Sequence, residues 1–300
     1  MGITKKDVEL LFYSRAELGV SFSKTLTLGR LEMFVSKEAI AKVKSIYDPA
    51  GAEHVSKGSV ENKYSESLFK LLGADRVDSL DFSDYEGASI VHDLNNGIPK
   101  EYHNSFSAII DGGTIEHVFN FPVAIKSCMD CLEVGGHYIG ITPANNQMGH
   151  GFYQFSPELY FRVFSPANGF AVQAMYLRTS DSLYKVADPL EVRSRVELVN
   201  ARPTTLIVVA KKIENISQFQ TPQQSDYVDA WDTVRSVKTG VTEAGRSKTL
   251  NIYRRMMPLH VKIILRNLYD IFTKEKIDDA DLGTIDPKHF KKIELGPSKH

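Results

Sequence analysis

At 300 residues and 42% hydrophobic, the chain is long enough for one large core with an appendage, or for two modest domains, and its composition is that of an ordinary globular protein. Its 36 basic and 37 acidic residues leave a formal net charge of -1, which removes any global case for a nucleic-acid partner. Cys128 and Cys131 form one C-x-x-C pair late in a helical pattern, too few for a four-ligand zinc site and wrongly placed for thioredoxin-like chemistry, so free buried thiols are expected.

Thr4 followed three residues later by Asp7 is a capping pattern, and Val8, Leu11 and Phe12 share a helical face, so a leading helix to Arg15 is predicted. KTLTLGRLEMFV is β-branched and apolar and reads as a first strand, and SKEAIAKVKSIY, with Ser36 as N-cap, reads as a helix. SVENKYSESLFKLLGA predicts a further helix closed by Gly73, RVDSLDF a second strand ending at Asp81, and ASIVHDLN a third ending at Asp93. The fourth strand is FSAIID, Phe106 to Asp111, and the helix after it runs from about Pro122 to Leu132. Glu133 to Gly136 then forms a turn into a fifth strand, HYIGITPA. SPELYFRVFS is helical, and FAVQAMYL and TTLIVVAKK close the sheet.

Strands alternating with helices make βα units, which predicts an α/β, doubly wound, mostly parallel sheet of seven strands. This α/β domain is assigned to residues 1–212, a polar, breaker-rich linker to 213–240 and a basic helical C-terminal extension to 241–300. Within the extension, Ala244 to Tyr269 carries six Lys or Arg and no Asp or Glu, and Val261, Ile264, Leu265, Leu268 and Phe272 fall at helical spacing. No signal-like run and no stretch of about 18 apolar residues is seen, so a cytoplasmic location is expected.

In an open parallel sheet, ligands bind beyond the carboxyl ends of the strands. The loops there supply Gly29-Arg30, Asp81, Asp93, Asp111 to His117 and Pro143 to Gln154. An ionised carboxylate only accepts hydrogen bonds, so an acid after the second strand can take both hydroxyls of a ribose and one after the third an adenine amino group. The same residues can equally cap turns, and both readings stay open.

DFSDYEGA, IVHDLN, IIDGGTIEHV and CLEVGGHYIGITPAN, in that order, resemble the class I S-adenosylmethionine-dependent methyltransferases over about residues 24–212. The resemblance implies a Rossmann-like methyltransferase fold with S-adenosylmethionine as cofactor. It places Asp81 with Phe82 at the cofactor ribose, Asp93 with Leu94 at the adenine, and Asp111, Gly112 and Gly113 at the methionine end, with Gly29 and Arg30 in the first loop. The departure is in that loop, where Thr27, Leu31 and Met33 stand at positions the family keeps acidic or small; side chains there narrow the approach of backbone to ligand. The whole chain also resembles a group of bacterial methyltransferase-like proteins with a GHGFYQFSPEL segment.

That segment follows the fifth strand, where an acceptor would meet the methyl group. His150 and His117 are the candidate bases, and Glu116, Asn145, Asn146, Tyr153 and Gln154 the candidate acceptor contacts, their amide and hydroxyl groups suiting a small polar or glycan-type molecule. Packing of the loop is the alternative use of its aromatic residues Phe152, Phe155 and Tyr160. No H-x-x-x-H or comparable close pair is present, so no metal is expected, and no G-x-S-x-G elbow supports a hydrolase. Two functions follow: O-methylation by in-line transfer, or a non-catalytic methyltransferase-like binding or scaffold protein. The basic tail is assigned to packing or homo-oligomer contact ahead of weak membrane-surface contact or acceptor docking.

Overall fold

The computed structural model describes residues 2–48, 63–180, 182–228, 261 and 285–297. The expected basic helix, apart from Val261, and the linker beyond residue 228 lie outside them. In chain order the strands are β1 (Gly2–Ile3), β2 (Lys24–Leu28), β3 (Glu32–Met33), β4 (Arg76–Asp81), β5 (Ile90–Val91), β6 (Phe106–Asp111), β7 (Leu132–Asn145), β8 (Phe170–Arg178), β9 (Leu183–Val186), β10 (Thr204–Lys212) and β11 (Phe290–Ile293). The helices are α1 (Lys5–Glu17), α2 (Lys37–Tyr47), α3 (Glu66–Leu71), α4 (Phe121–Cys131), α5 (Pro157–Val163) and α6 (Pro189–Val192).

The main sheet runs β11-β9-β8-β10-β7-β6-β2-β4-β5, and β1 pairs with β3 apart from it. This corrects the expected seven-stranded, mostly parallel sheet: it has nine strands and is mixed. The half from β7 to β5 is parallel, and the half from β10 outward is antiparallel. The difference arises because β8 turns back into β9 through a tight connection, Thr179 N donating to Ser182 O at 2.9 Å, and because Phe290–Ile293, inside the expected helical extension, adds to β9 as an edge strand. Residues 213–228, the described part of the expected linker, lie on the domain: Ile213 N bonds Gly169 O at 2.7 Å and Ser225 N bonds Glu158 Oε1 at 2.7 Å.

Side chains alternate between the two faces of a strand, and both faces are apolar here. Leu206, Val208 and Ala210 of β10 join α4 and α5 in one buried cluster. Ile207 and Val209 join α1, α2 and α3 in the other. The result is a helix-sheet-helix sandwich in which β6, buried at every residue, lies beside the central strand β7. Helix α1 starts at the expected cap, Thr4 N donating to Asp7 Oδ2 at 2.8 Å. Helix α2 starts where Ser36 Oγ accepts from Ala39 N. Cys128 and Cys131 are free and buried on α4, and burial pushes the Cys131 thiol up to about 12, which leaves no nucleophilic thiolate at neutral pH.

Candidate active site

Strand order reverses between β2 and β6: from β2 the chain builds outward to β4 and β5, and from β6 the other way to β7. Ligands of doubly wound sheets sit at such a switch point, outside the carboxyl ends of the strands. A cleft of about 280 Å³ opens there, lined among others by Asp81, Phe82, Asp93, Leu94, Thr114 and His117. A larger cavity of about 570 Å³ lies against α5, β8, β9 and β11. Its lining contains none of the sequence-predicted site residues.

The acids at the strand ends differ in what remains free on them. Asp81 Oδ1 accepts from Phe82 N at 2.6 Å, and its side chain borders the cleft. Asp93 is engaged within its own turn, Oδ1 accepting from Asn95 N at 2.9 Å and Asn95 Nδ2 at 2.8 Å, and Oδ2 from Asn96 Nδ2 at 3.2 Å. The Asn95 backbone N–H is the main reason its carboxyl is held below the usual range.

Asp111, expected at the methionine end, is fully buried and turned into the protein. Its Oδ1 accepts from Thr114 N at 2.8 Å, Gly113 N at 3.3 Å and Ile115 N at 3.4 Å, and its Oδ2 from Tyr138 Oη at 2.7 Å. Burial raises its carboxyl pKa against the pull of these bonds. Asp111 therefore shapes the β6–α4 loop from inside. Tyr138 reaches it by lying across Gly140, two residues along β7: a Cβ on Gly140 would come within 2.8 Å of the Tyr138 ring.

The first loop is filled. Leu31 is fully buried and packs over Gly112, where an added Cβ would meet Leu31 Cδ2 at 3.0 Å. Arg30 is fastened on several sides. Its Nε donates to Glu66 Oε1 at 2.7 Å, its Nη1 to Glu86 O at 2.7 Å, and its guanidinium lies 4.1 Å from the Tyr64 ring centroid. Leu31 and the Nε and Nη1 of Arg30 are thus engaged within the protein. Sequence reasoning flagged Leu31 as a departure but had no signal that it would close over Gly112.

The predicted acceptor contacts are mostly engaged in holding the β7–α5 loop. Asn145 Nδ2 donates to Asn200 Oδ1 at 2.8 Å, and Asn146 Nδ2 to Asn200 Oδ1 at 2.8 Å and Arg202 O at 3.0 Å. Gln154 Oε1 accepts from Gln147 N at 2.9 Å, and Tyr153 Oη donates to Phe119 O at 2.7 Å. So anchored, the loop folds back over the 3₁₀ turn Ile115–His117: Phe152 N donates to Glu116 O at 2.8 Å. Gly151 makes the close approach. Its φ is +75°, and a Cβ there would lie 2.8 Å from Glu116 O and 3.0 Å from Glu116 Cγ.

This brings three predicted residues together. His150 Nε2 lies 3.2 Å from Glu116 Oε1, and the His117 and His150 rings are 5.1 Å apart between centroids at 60°. Glu116 is fully buried, and neither of its carboxylate oxygens has a hydrogen-bond partner among the described residues. Burial, and secondarily the Asp111 charge, push its carboxyl up to about 8. His117, more exposed, is lowered by burial and by His150. An imidazole beside a carboxylate of raised pKa can exchange a proton with a bound hydroxyl near neutral pH. His117 also borders the cleft, so the cluster and the cleft share a wall.

No protein-family model matches the chain, and no curated protein matches it. The chain is similar, at low identity, to several solved structures, methyltransferases among them. Against the branched-chain polyamine synthase of Thermus thermophilus in complex with N4-aminopropylspermidine and 5'-methylthioadenosine, identity is 13%, coverage 73% of this chain and 61% of that one, and the TM-score 0.34. Against the Burkholderia thailandensis 1,6-didemethyltoxoflavin-N1-methyltransferase, bound to 1,6-didemethyltoxoflavin and S-adenosylhomocysteine, the values are 11%, 70% and 78%, and 0.32. Against the trans-methyltransferase CalH in complex with SAH they are 11%, 69% and 58%, and 0.34. The chain thus spans about 60% of the length of the first and last of these. No described helix is long and apolar enough to cross a membrane.

Proposed function

We propose that the chain is an S-adenosylmethionine-dependent methyltransferase acting on an oxygen of a small polar or glycan-type acceptor in the cytoplasm. The observation that carries this reading is the shared wall: a cleft bordered by Asp81 and Asp93 from successive strand ends meets, at His117, a cluster able to take a proton. At about 280 Å³ the cleft falls just below the roughly 300–1,000 Å³ range of small-molecule sites. It suits the adenosine end of the cofactor, with the free oxygen of Asp81 toward the ribose and Leu94 and Phe82 toward the base. Leu31 packs over Gly112, where the amino-acid end would pass, and narrows that end of the site.

When bound, S-adenosylmethionine supplies a methyl carbon on a sulfonium, open to in-line attack. The chain's own part is to position the acceptor and take its proton, and positioning accounts for much of the acceleration in such transfers. Glu116, His117 and His150 are where an acceptor hydroxyl would lose its proton. Phe119 and Phe152, edge to face at 5.8 Å and 72% and 66% exposed, offer aromatic surface beside them to the apolar face of a sugar ring.

The filled first loop favours a second reading, a binding or scaffold protein that keeps the fold and has lost ordinary cofactor binding. Calorimetry separates the two. Saturable binding of S-adenosylmethionine, weakened at least tenfold by Asp81→Ala, supports the enzyme. No heat at millimolar cofactor, and no change with Asp81→Ala, leaves the second reading.

A further inference from the structure

We infer that Glu116, His117 and His150 form a binding site for one divalent first-row transition-metal ion of the zinc type. Among the described residues this is the single group of three His, Cys, Asp or Glu side chains placed to share an ion. Their ligand atoms all lie within 4.8 Å of one another. Zinc bonds imidazole nitrogen and carboxylate oxygen at about 2.0–2.2 Å, which sets the edge of its tetrahedron at roughly 3.3 Å. The His150 Nε2 to Glu116 Oε1 separation of 3.2 Å already matches that edge. Both histidines are exposed, so rotation of their rings about the side-chain torsions brings the remaining spacings in.

The carboxylate is the independent indication. Burying an acid with neither oxygen hydrogen-bonded is costly, and native structures nearly always satisfy such groups. Glu116 has no solvent exposure and, among the described residues, no bonded partner on either oxygen, while His150 Nε2 lies 3.2 Å from its Oε1. A cation between them would satisfy the carboxylate and use both imidazoles. Two imidazoles and one carboxylate suit zinc, cobalt or nickel better than the all-oxygen preferences of calcium and magnesium.

The backbone supports the same placement. Gly151, at φ +75°, lets the loop lie directly on Glu116, and Phe152 N clamps it to Glu116 O. The loop therefore holds the His150 ring against the carboxylate. Three protein ligands leave a coordination position open, the arrangement of catalytic rather than structural zinc sites, and His117 puts that position beside the cleft. The site stands on these contacts alone and does not depend on methyl transfer.

The test uses the full-length, tag-free chain stripped with a chelator, with no S-adenosylmethionine present. Cobalt(II) is titrated while visible absorption is followed, and zinc is then added in competition. The expected result is saturation at one equivalent of cobalt, displacement by one equivalent of zinc, and at least tenfold weaker binding in Glu116→Gln and in His150→Ala. His150 is half exposed, so its variant should keep the native circular dichroism even if the Glu116 variant does not. Absence of saturable absorption up to millimolar cobalt, or wild-type affinity in folded His150→Ala, overturns the site. Either result leaves the calorimetric question about S-adenosylmethionine untouched, so the two readings fail separately.

Discussion

Two loops rest on the segment between β6 and α4, and they are built in opposite ways. The loop after β2 lays Leu31 over Gly112 and ties Arg30 to Glu66, Glu86 and Tyr64, so its apolar group is packed and its charge is partnered. The loop after β7 lays Gly151 over Glu116 and leaves that carboxylate buried without a hydrogen bond. A closed contact of the first kind lowers the free energy of the fold, whereas a buried, unsatisfied acid raises it and persists only if the surrounding structure over-determines it. On the reading proposed above, the chemistry belongs on the β7 side, where an acid is left buried without a hydrogen bond.

The largest expected effect comes from titrating that acid. Between the ordinary carboxyl value of 4.5 and about 8 the unfolded chain has released the Glu116 proton while the folded chain still holds it, so stability falls as pH rises through this window. Relative to Glu116→Gln, which cannot titrate, the wild type should lose on the order of 5 kcal/mol by pH 8, with a constant offset below 4.5. Urea unfolding of both proteins across pH measures this. Parallel curves would mean that Glu116 is satisfied after all and the contrast between the loops is false.

Leu31→Ala probes the other loop. Truncating a fully buried Leu should cost about 2–5 kcal/mol of stability, again read by urea unfolding. It should also raise affinity for S-adenosylmethionine at least tenfold in calorimetry by freeing the space above Gly112. Lost stability with unchanged affinity would show that the first loop is not what restricts the cofactor.

The smallest effects sharpen the β7 side. Gly151→Ala places a Cβ against Glu116 at positive φ and should cost about 1–3 kcal/mol while weakening cobalt binding. Gly149→Ala, two residues earlier with open space around it, should stay within roughly 0.5 kcal/mol of wild type and bind cobalt normally. Equal behaviour of the two variants in thermal melts would remove the close approach as the cause.

The elements with strong local signals were legible: the capped α1 and α2, the largely apolar β6 and the two long strands β8 and β10 all fall where periodicity predicts. Short edge strands were not. Leu183–Val186 (LYKV) and Phe290–Ile293 (FKKI) are four residues each with lysine in their interiors, a pattern too brief to distinguish from a loop, and pairing of the first with β8 and of the second with the first makes them strands. The third expected strand shrank to Ile90–Val91 because Asp93 draws the chain into an Asx-type turn.

At the site, sequence reasoning named His117, Glu116 and His150 but expected no metal, since local spacing offers no close ligand pair. Their meeting depends on β6 and β7 lying side by side and on the loop folding back at Gly151, neither of which spacing along the chain can reveal. For the same reason Asn145, Asn146, Tyr153 and Gln154 read as acceptor contacts: their polar groups are visible in the sequence, but their partners, Asn200, Arg202, Phe119 and Gln147, are not.

The Tyr138 side chain that crosses Gly140 to reach Asp111 makes three positions into one heritable unit. A side chain at 140 would evict the tyrosine, and without its hydroxyl the buried acid loses a donor that no neighbour replaces. Relatives should therefore keep Tyr, Gly and Asp together or exchange all three at once, with an apolar residue at 111 wherever 140 has grown. Lineages carrying such a swap would have rebuilt the floor of the β6–α4 loop, and so the angle at which its 3₁₀ turn presents Glu116 and His117.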